Sequence, residues 1–393
     1  SMAGEKLQQA KNAARHLVTQ LRPSDRLAIV HYGSDVRALA SLEPQTGWPY
    51  GSLVTVAMTL DGKPLLEQWS DADRLRSKSF TVDLEADRAY DLKLEYYERE
   101  RDAGVRLAWR MPGAKSLSEE ALDAARTADV VVFVGGLTGD VEGEEMDVNY
   151  PGFAGGDRTD IRLPETQRKL LEALHATGKP VALVLTTGSA LAVDWAKQNL
   201  PAILVAWYPG QRGGNAVADV LFGDTNPAGR LPVTFYKFDE KLPAFDDYAM
   251  KGRTYRYFDG EPLYAFGHGL SYTRFSYSGL RVDHRKIGPK EQVRVALKVK
   301  NTGQRAGDEV VQLYLHPLKP QRERARKELR GFQRVHLQPG EEREVSFTFT
   351  PETDLRHYDE ERKAYAVDAG TYEVQLGASS ADIRLKQRFS VNK

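Results

Sequence analysis

The chain has 393 residues, 55 basic and 55 acidic side chains, no net formal charge and no cysteine. The charge balance argues against a polyanion-binding or membrane-surface protein, so neither nucleic acid nor membrane is an expected partner. No apolar run approaches the roughly 18 residues of a spanning helix, no basic-then-apolar leader opens the sequence, and disulfides and thiolate metal sites are excluded; cytoplasm and periplasm both remain open.

Residues 1–44 pair a helix with a strand. Leu7, Ala10, Ala14, Leu17, Val18 and Leu21 recur at helical spacing, Pro23-Ser24-Asp25 breaks the pattern, and 27–32 reads as extended. Residues 50–113 read as β structure. Val54, Val56, Met58 and Leu60 alternate up to Asp61-Gly62, a hairpin signal. Val82 and Leu84, then Tyr90, Leu92, Leu94 and Tyr96, then Val105, Leu107 and Trp109 continue the alternation.

Residues 114–275 alternate strand and helix. Ser116 and Glu119 form a capping-box pattern that opens a helix. Strands are predicted at 130–134, 181–185 and 203–207, and helices at 164–176 and 214–221. This βαβα order implies a largely parallel sheet with helices on both faces. The most informative stretch is 130–164, where an apolar strand ends in Gly135-Gly136. A loop rich in carboxylates follows, with Asp140, Glu142, Glu144, Glu145, Asp147, Asp157 and Asp160. Loops at the carboxyl ends of parallel strands carry the chemistry of α/β folds, and a carboxylic acid held there can act as a general acid. A solvated loop face has the same composition, so both readings stand at this point.

Other constellations are weaker. Gly135-Gly136 and Gly213-Gly214 fit neither a dinucleotide nor a P-loop fingerprint, which argues against nucleotide binding. Thr187-Gly188-Ser189 and Gly267-His268-Gly269-Leu270-Ser271 are not Gly-x-Ser-x-Gly and read as turns. Glu142, Glu144, Glu145, Asp147 and Asp157 suit a hard divalent cation by ligand type, without EF-hand or zincin spacing. Tyr255, Tyr257, Tyr264, Phe266 and Tyr272 read as an aromatic seam between domains. Residues 276–393 read as a β-sandwich, with alternation at 293–299, further strands at 310–315 and 345–349, and a late strand beginning near Gly370. The fold class is thus α/β plus all-β: a parallel-sheet α/β sandwich, a C-terminal fibronectin type III-like β-sandwich and an N-terminal β-rich module.

Several motifs occur together in order: GLTGDVEGEEMDV, GGDRTDIRLP, WYPGQRGGNAVADVLFGDTNPAGRLPVTFY, RTYRYF and PLYAFGHGLSYTRFSYS. On these, residues 114–393 resemble the C-terminal half of glycoside hydrolase family 3, which contains β-glucosidases and β-xylosidases. Residues 1–44 resemble an interior piece of a von Willebrand factor A domain. Residues 50–113 resemble the second half of a protective-antigen-type β module, which in that family is found inserted ahead of the acidic loop. The resemblance implies a carbohydrate substrate, no cofactor and no metal. It implies a nucleophilic aspartate on an N-terminal (β/α)8 barrel and an acid/base glutamate on the loop VEGEEMD. Matching that loop to the family places Glu144 first as the acid/base, Glu142 second and Glu145 third. Asp157, Arg158, Trp207 and Tyr208 are the implied substrate-binding side chains.

A barrel takes about 250 residues, and only 113 precede the α/β unit. The nucleophile is therefore expected to lie outside this chain, and the abutting N-terminal fragments read as a rearranged or chimeric history. Three functions follow as alternatives: a family 3-like glycosidase half that works with a barrel, a non-catalytic scaffold or sugar-binding remnant, and a repurposed hydrolase of activated esters or phosphoesters with or without a divalent metal. A barrel-facing surface left bare implies a homodimer, or coverage by residues 1–50.

Overall fold

The computed structural model describes residues 27–31, 54–72, 89–98, 115–139, 141–146, 148, 150–240, 242–244, 246–320 and 322–392. The expected helix within 1–44, the alternations at Val82–Leu84 and at Val105, Leu107 and Trp109, and the loop carboxylates Asp140 and Asp147 lie outside these residues. The chain divides into two compact units.

One unit is built on a four-stranded parallel sheet. Its strands are β1 (Leu27–His31), β5 (Val130–Gly136), β8 (Val181–Thr186) and β9 (Ala202–Val205), in the order β1-β5-β8-β9. The central strands are nearly continuous runs of Val, Leu and Phe. Val131, Phe133, Val181, Leu183 and Leu185 are wholly buried, as expected for strands covered on both faces. Strand β1, which reads in the sequence as part of a separate piece, pairs in parallel with β5 from Leu27↔Val130 to His31↔Val134. Helix α1 (Leu117–Thr127) starts at a full capping box: Ser116 Oγ accepts from the Glu119 amide at 3.2 Å, and Glu119 Oε2 accepts from the Ser116 amide at 2.6 Å. Helix α2 (Glu165–His175) buries Leu170, Leu171 and Leu174 together with one polar side chain, Gln167.

The same unit holds a three-stranded antiparallel sheet ordered β3-β2-β4, from β2 (Val54–Leu60), β3 (Lys63–Ala72) and β4 (Leu92–Glu98). Asp61-Gly62 makes the two-residue turn with both residues left-handed, at φ 48° and 72°.

The other unit contains a β-sandwich. One sheet is β10 (Phe275–Val282), β12 (Val293–Asn301) and β15 (Glu342–Phe349); the second is ordered β11-β19-β18-β13-β14, from β11 (Lys286–Ile287), β13 (Gly307–Pro317), β14 (Glu328–Leu337), β18 (Gly370–Gly377) and β19 (Ile383–Val391). Val293, Val295, Leu297 and Val299 point inward and share one apolar cluster with Leu313, Leu315, Val374 and Leu376, the period-2 pattern of facing sheets. Residues 226–272 pack on this sandwich. Tyr255 stacks on Phe266 at 4.3 Å and meets Tyr314 edge-on at 5.8 Å. Gln312 Nε2 donates to the Gly267 and Ala378 carbonyls at 3.1 and 2.7 Å.

Candidate active-site loop

The acidic loop leaves the carboxyl end of β5. That end is fixed by Gln167: Gly136 N–H donates to Gln167 Oε1 at 2.8 Å, and Gln167 Nε2 donates back to the Gly136 carbonyl at 2.8 Å. Leu137 N–H then bonds the Thr186 carbonyl at 2.8 Å, and the Val141 and Glu142 amides turn back onto the Thr138 carbonyl at 3.2 and 3.1 Å. The far arm is stapled to a short hairpin, β6 (Phe153–Ala154) and β7 (Asp157–Arg158). Gly143 N–H donates to the Gly156 carbonyl at 3.3 Å, and Met146 N–H to the Gly155 carbonyl at 2.9 Å. A glycine is required at 156: its φ is +90°, and a Cβ there would lie 1.9 Å from the Gly143 carbonyl oxygen.

The loop carboxylates divide by environment. Glu142 is half-buried at the root, while Glu144 and Glu145 are exposed at the tip, where Glu145 adopts a left-handed φ of 50°. Asp157 is exposed in the hairpin and Arg158 is half-buried. Arg158 Nη1 donates to Ser189 Oγ at 2.6 Å, and Ser189 Oγ–H donates to Glu142 Oε1 at 2.8 Å. Burial works against the Arg158 charge and lowers its pKa, opposed by the Glu142 and Asp160 carboxylates. Tyr208 completes the group. Its ring lies against Gly188, where a Cβ would come within 2.8 Å of Tyr208 Cε2. Burial, then the Glu142 charge, raises the Tyr208 pKa, yet 53% of the residue remains exposed. Trp207, immediately before it, has a left-handed φ of 54°, which ends the extended run short of the predicted 203–207.

Of the residues singled out in the sequence, the structure thus brings together Glu142, Arg158 and Tyr208. Glu144, Glu145 and Asp157 stand exposed on the loop and hairpin. Ser189 was read only as part of a turn. The signal for it lies in the sheet: Gly136 and Thr186 are register partners on adjacent parallel strands, so residues 137–139 and 187–189 leave the sheet side by side. Thr187 closes that second turn, its hydroxyl donating to the Ser189 carbonyl at 2.8 Å. Among the described residues no three His, Asp or Glu side chains converge as a metal site, so the metal-dependent alternative gains no support from them. Among the same residues, no helix is long and apolar enough to cross a membrane.

A parallel α/β sheet with an acidic loop at a strand end, followed by a fibronectin-like β-sandwich, defines a protein of the α/β plus all-β class. The model of the glycosyl hydrolase family 3 C-terminal domain matches residues 6–272, and that of a fibronectin type III-like domain matches residues 309–380. The chain belongs to glycosyl hydrolase family 3. It is 45% identical over 269 residues to a xylan 1,4-beta-xylosidase of Xylanibacter ruminicola, covering 68% of this chain and 31% of that protein. It is 38% identical over 295 residues to a periplasmic beta-glucosidase of Salmonella typhimurium, covering 72% and 37%. Among solved structures, the beta-glucosidase of Kluyveromyces marxianus in complex with glucose matches with a TM-score of 0.70 at 27% identity, over 87% of this chain and 42% of that one. The chain spans about a third of the length of the curated relatives it matches.

Proposed function

We propose that this chain is the acid/base-bearing part of a retaining β-glycosidase that acts on β-xylosides or β-glucosides. The observation that carries the reading is the acidic loop, fastened at its root and at its far arm, with Glu144 exposed at its tip. A general acid must come within about 2.6–3.2 Å of the glycosidic oxygen. Glu142 accepts a hydrogen bond from Ser189, whereas Glu144 stands clear to meet a substrate held by another part of the protein. Glu144 would protonate the leaving oxygen and then, as carboxylate, take the proton of the attacking water. The partner carboxylate, about 5–5.5 Å away in a retaining enzyme, belongs in this reading to a barrel of the kind the family carries. Arg158 and Tyr208 would face the sugar or its aglycone.

The finer assignment of the N-terminal region is part of the same proposal. The β3-β2-β4 sheet would be a protective-antigen-type module inserted ahead of the loop; residues 1–44, which read in the sequence as a von Willebrand factor A-like piece, fall from residue 6 within the family 3 domain match and supply β1 to its sheet. The Kluyveromyces match covers 87% of this chain, so part of residues 1–114 has a counterpart in that structure. Self-association through the barrel-facing surface also belongs to it; light scattering is expected to show a dimer, and a monomer removes that element.

The test is a hybrid in which this chain replaces the corresponding region of the Xylanibacter relative. The hybrid is expected to hydrolyse aryl β-xylosides or β-glucosides, and Glu144→Gln to lower turnover by about 10²- to 10⁴-fold, the usual worth of a general acid/base. A folded hybrid with no turnover, or one that Glu144→Gln leaves unchanged, sinks the reading.

A further inference from the structure

We infer that Ser189 is the positioning residue of the acidic loop: its hydroxyl, oriented by Arg158, grips Glu142 and so fixes how the loop presents its tip. The inference rests on the reading of this loop as the acid/base loop only in the purpose it gives the grip, not in the grip itself.

The geometry is specific. A hydroxyl has one proton to give. Ser189 Oγ accepts a hydrogen bond from Arg158 Nη1–H at 2.6 Å, which leaves its own O–H to donate to Glu142 Oε1 at 2.8 Å. The three side chains come from three segments, the loop, the hairpin strand β7 and the turn after β8, and the contact between Ser189 and Glu142 spans 47 residues of sequence. Both hydrogen bonds are charge-assisted, the stronger class. The turn is built to deliver the hydroxyl: buried Thr187 bonds both the Ser189 carbonyl and the Ser189 amide, at 2.8 and 3.2 Å. Glu142 stands one residue before Gly143, whose amide makes the first staple to the hairpin, and Arg158 closes that same hairpin two residues after Gly156. Ser189, Glu142 and Arg158 therefore close a ring with the backbone staples. Opening it at Ser189 frees the root of the loop while the β5–β8 ladder is untouched.

The experiment is hydrogen exchange on the full chain, read at the Gly143 and Met146 amides. Ser189→Ala is expected to speed their exchange at least about tenfold, the effect of losing roughly one charge-assisted hydrogen bond, and to lower global stability by no more than that one bond is worth. Ser189→Thr, which keeps the hydroxyl, is expected to restore slow exchange. Glu142→Ala is expected to act like Ser189→Ala, and the double variant to add nothing further, because both remove one coupled contact. If Ser189→Ala fails to fold, Glu142→Ala and Ser189→Thr carry the test. Unchanged exchange in Glu142→Ala or in a folded Ser189→Ala, additive effects in the double variant, or a threonine variant that exchanges like alanine overturns the inference. Exchange requires no turnover, so a failed glycosidase test leaves this result standing, and a failed exchange test leaves the role of Glu144 standing.

Discussion

At the scale of single residues, the loop depends on polar side chains set in apolar surroundings. Gln167 occupies a core-facing position on α2 where a leucine would suit the helix pattern, and its amide satisfies both backbone groups of Gly136. Gln167→Leu gains apolar surface but strands a buried donor and acceptor, at about 1–3 kcal/mol each. Urea unfolding is expected to show a net loss of about 2–4 kcal/mol; equal or greater stability in the leucine variant would show that Gly136 finds other partners. The Ser116–Glu119 cap was legible in the sequence because its two residues are three positions apart. Gln167 and Ser189 were not, because their partners lie 31 and 47 residues away, and nothing in a local pattern distinguishes a buried glutamine from a solvated one. The choice of Glu144 rests on the family motif alone, and no local pattern signalled that Glu142 would be the gripped carboxylate.

At the scale of elements, regular periodicity decided what the sequence disclosed. Strands β5, β8 and β12 and helices α1 and α2 follow their patterns to within a residue or two, and β15 begins three residues before its predicted start. Strand β3 shows no such alternation, and the structure supplies the reason: its pairing with β2 shifts register between Val54 and Val56 and again between Met58 and Thr59, and such irregularities break the period of two. The β6–β7 hairpin, with two residues in each strand, is too short to carry any period. At the start of β14, Lys327 donates through Nζ to the Ser380 carbonyl at 2.5 Å and lies 5.8 Å from the Tyr314 ring centroid. Burial, with Lys386 and Arg326 adding to it, pushes its pKa down to about 8. An unfolded lysine titrates near 10.4, so from about pH 8 to 10 the unfolded chain binds more protons than the folded one, and this group makes stability rise with pH. Lys327→Met is expected to flatten that rise in denaturant midpoints measured across the window; an unchanged slope would place the cause elsewhere.

At the scale of the whole molecule, the family and the succession of its α/β and fibronectin-like domains were legible because its motifs recur in sequence order, while the joint between the segment at 226–272 and the sandwich was not. That joint includes a buried ion pair, Arg230 with Glu309 at 2.7 Å, whose side chains are 9% and 3% exposed. Arg384 approaches the same carboxylate at 3.6 Å. Asn226 reinforces it, donating to the Ala306 carbonyl at 3.0 Å and accepting from Ser271 Oγ and the Tyr272 amide. Removing Arg230 takes away the nearer cation and leaves the buried Glu309 charge to the more distant Arg384. Arg230→Met is expected to cost about 3–5 kcal/mol, and replacing both partners by apolar side chains to cost less; a double variant as unstable as the sum of the singles would contradict that reading. The motif NPAGR signals a turn in the sequence, but only the fold shows that its arginine is directed into the sandwich.

The claim on which the functional reading turns is that Glu144 is the acid/base, and azide rescue of the hybrid enzyme tests it most directly. In Glu144→Gln, azide is expected to replace water in attacking the covalent glycosyl-enzyme without needing a general base. Turnover of an aryl glycoside with a good leaving group should therefore recover with added azide and yield the β-glycosyl azide, with no such recovery in Glu142→Gln. Azide product formed by Glu142→Gln and not by Glu144→Gln, or by neither, would contradict it.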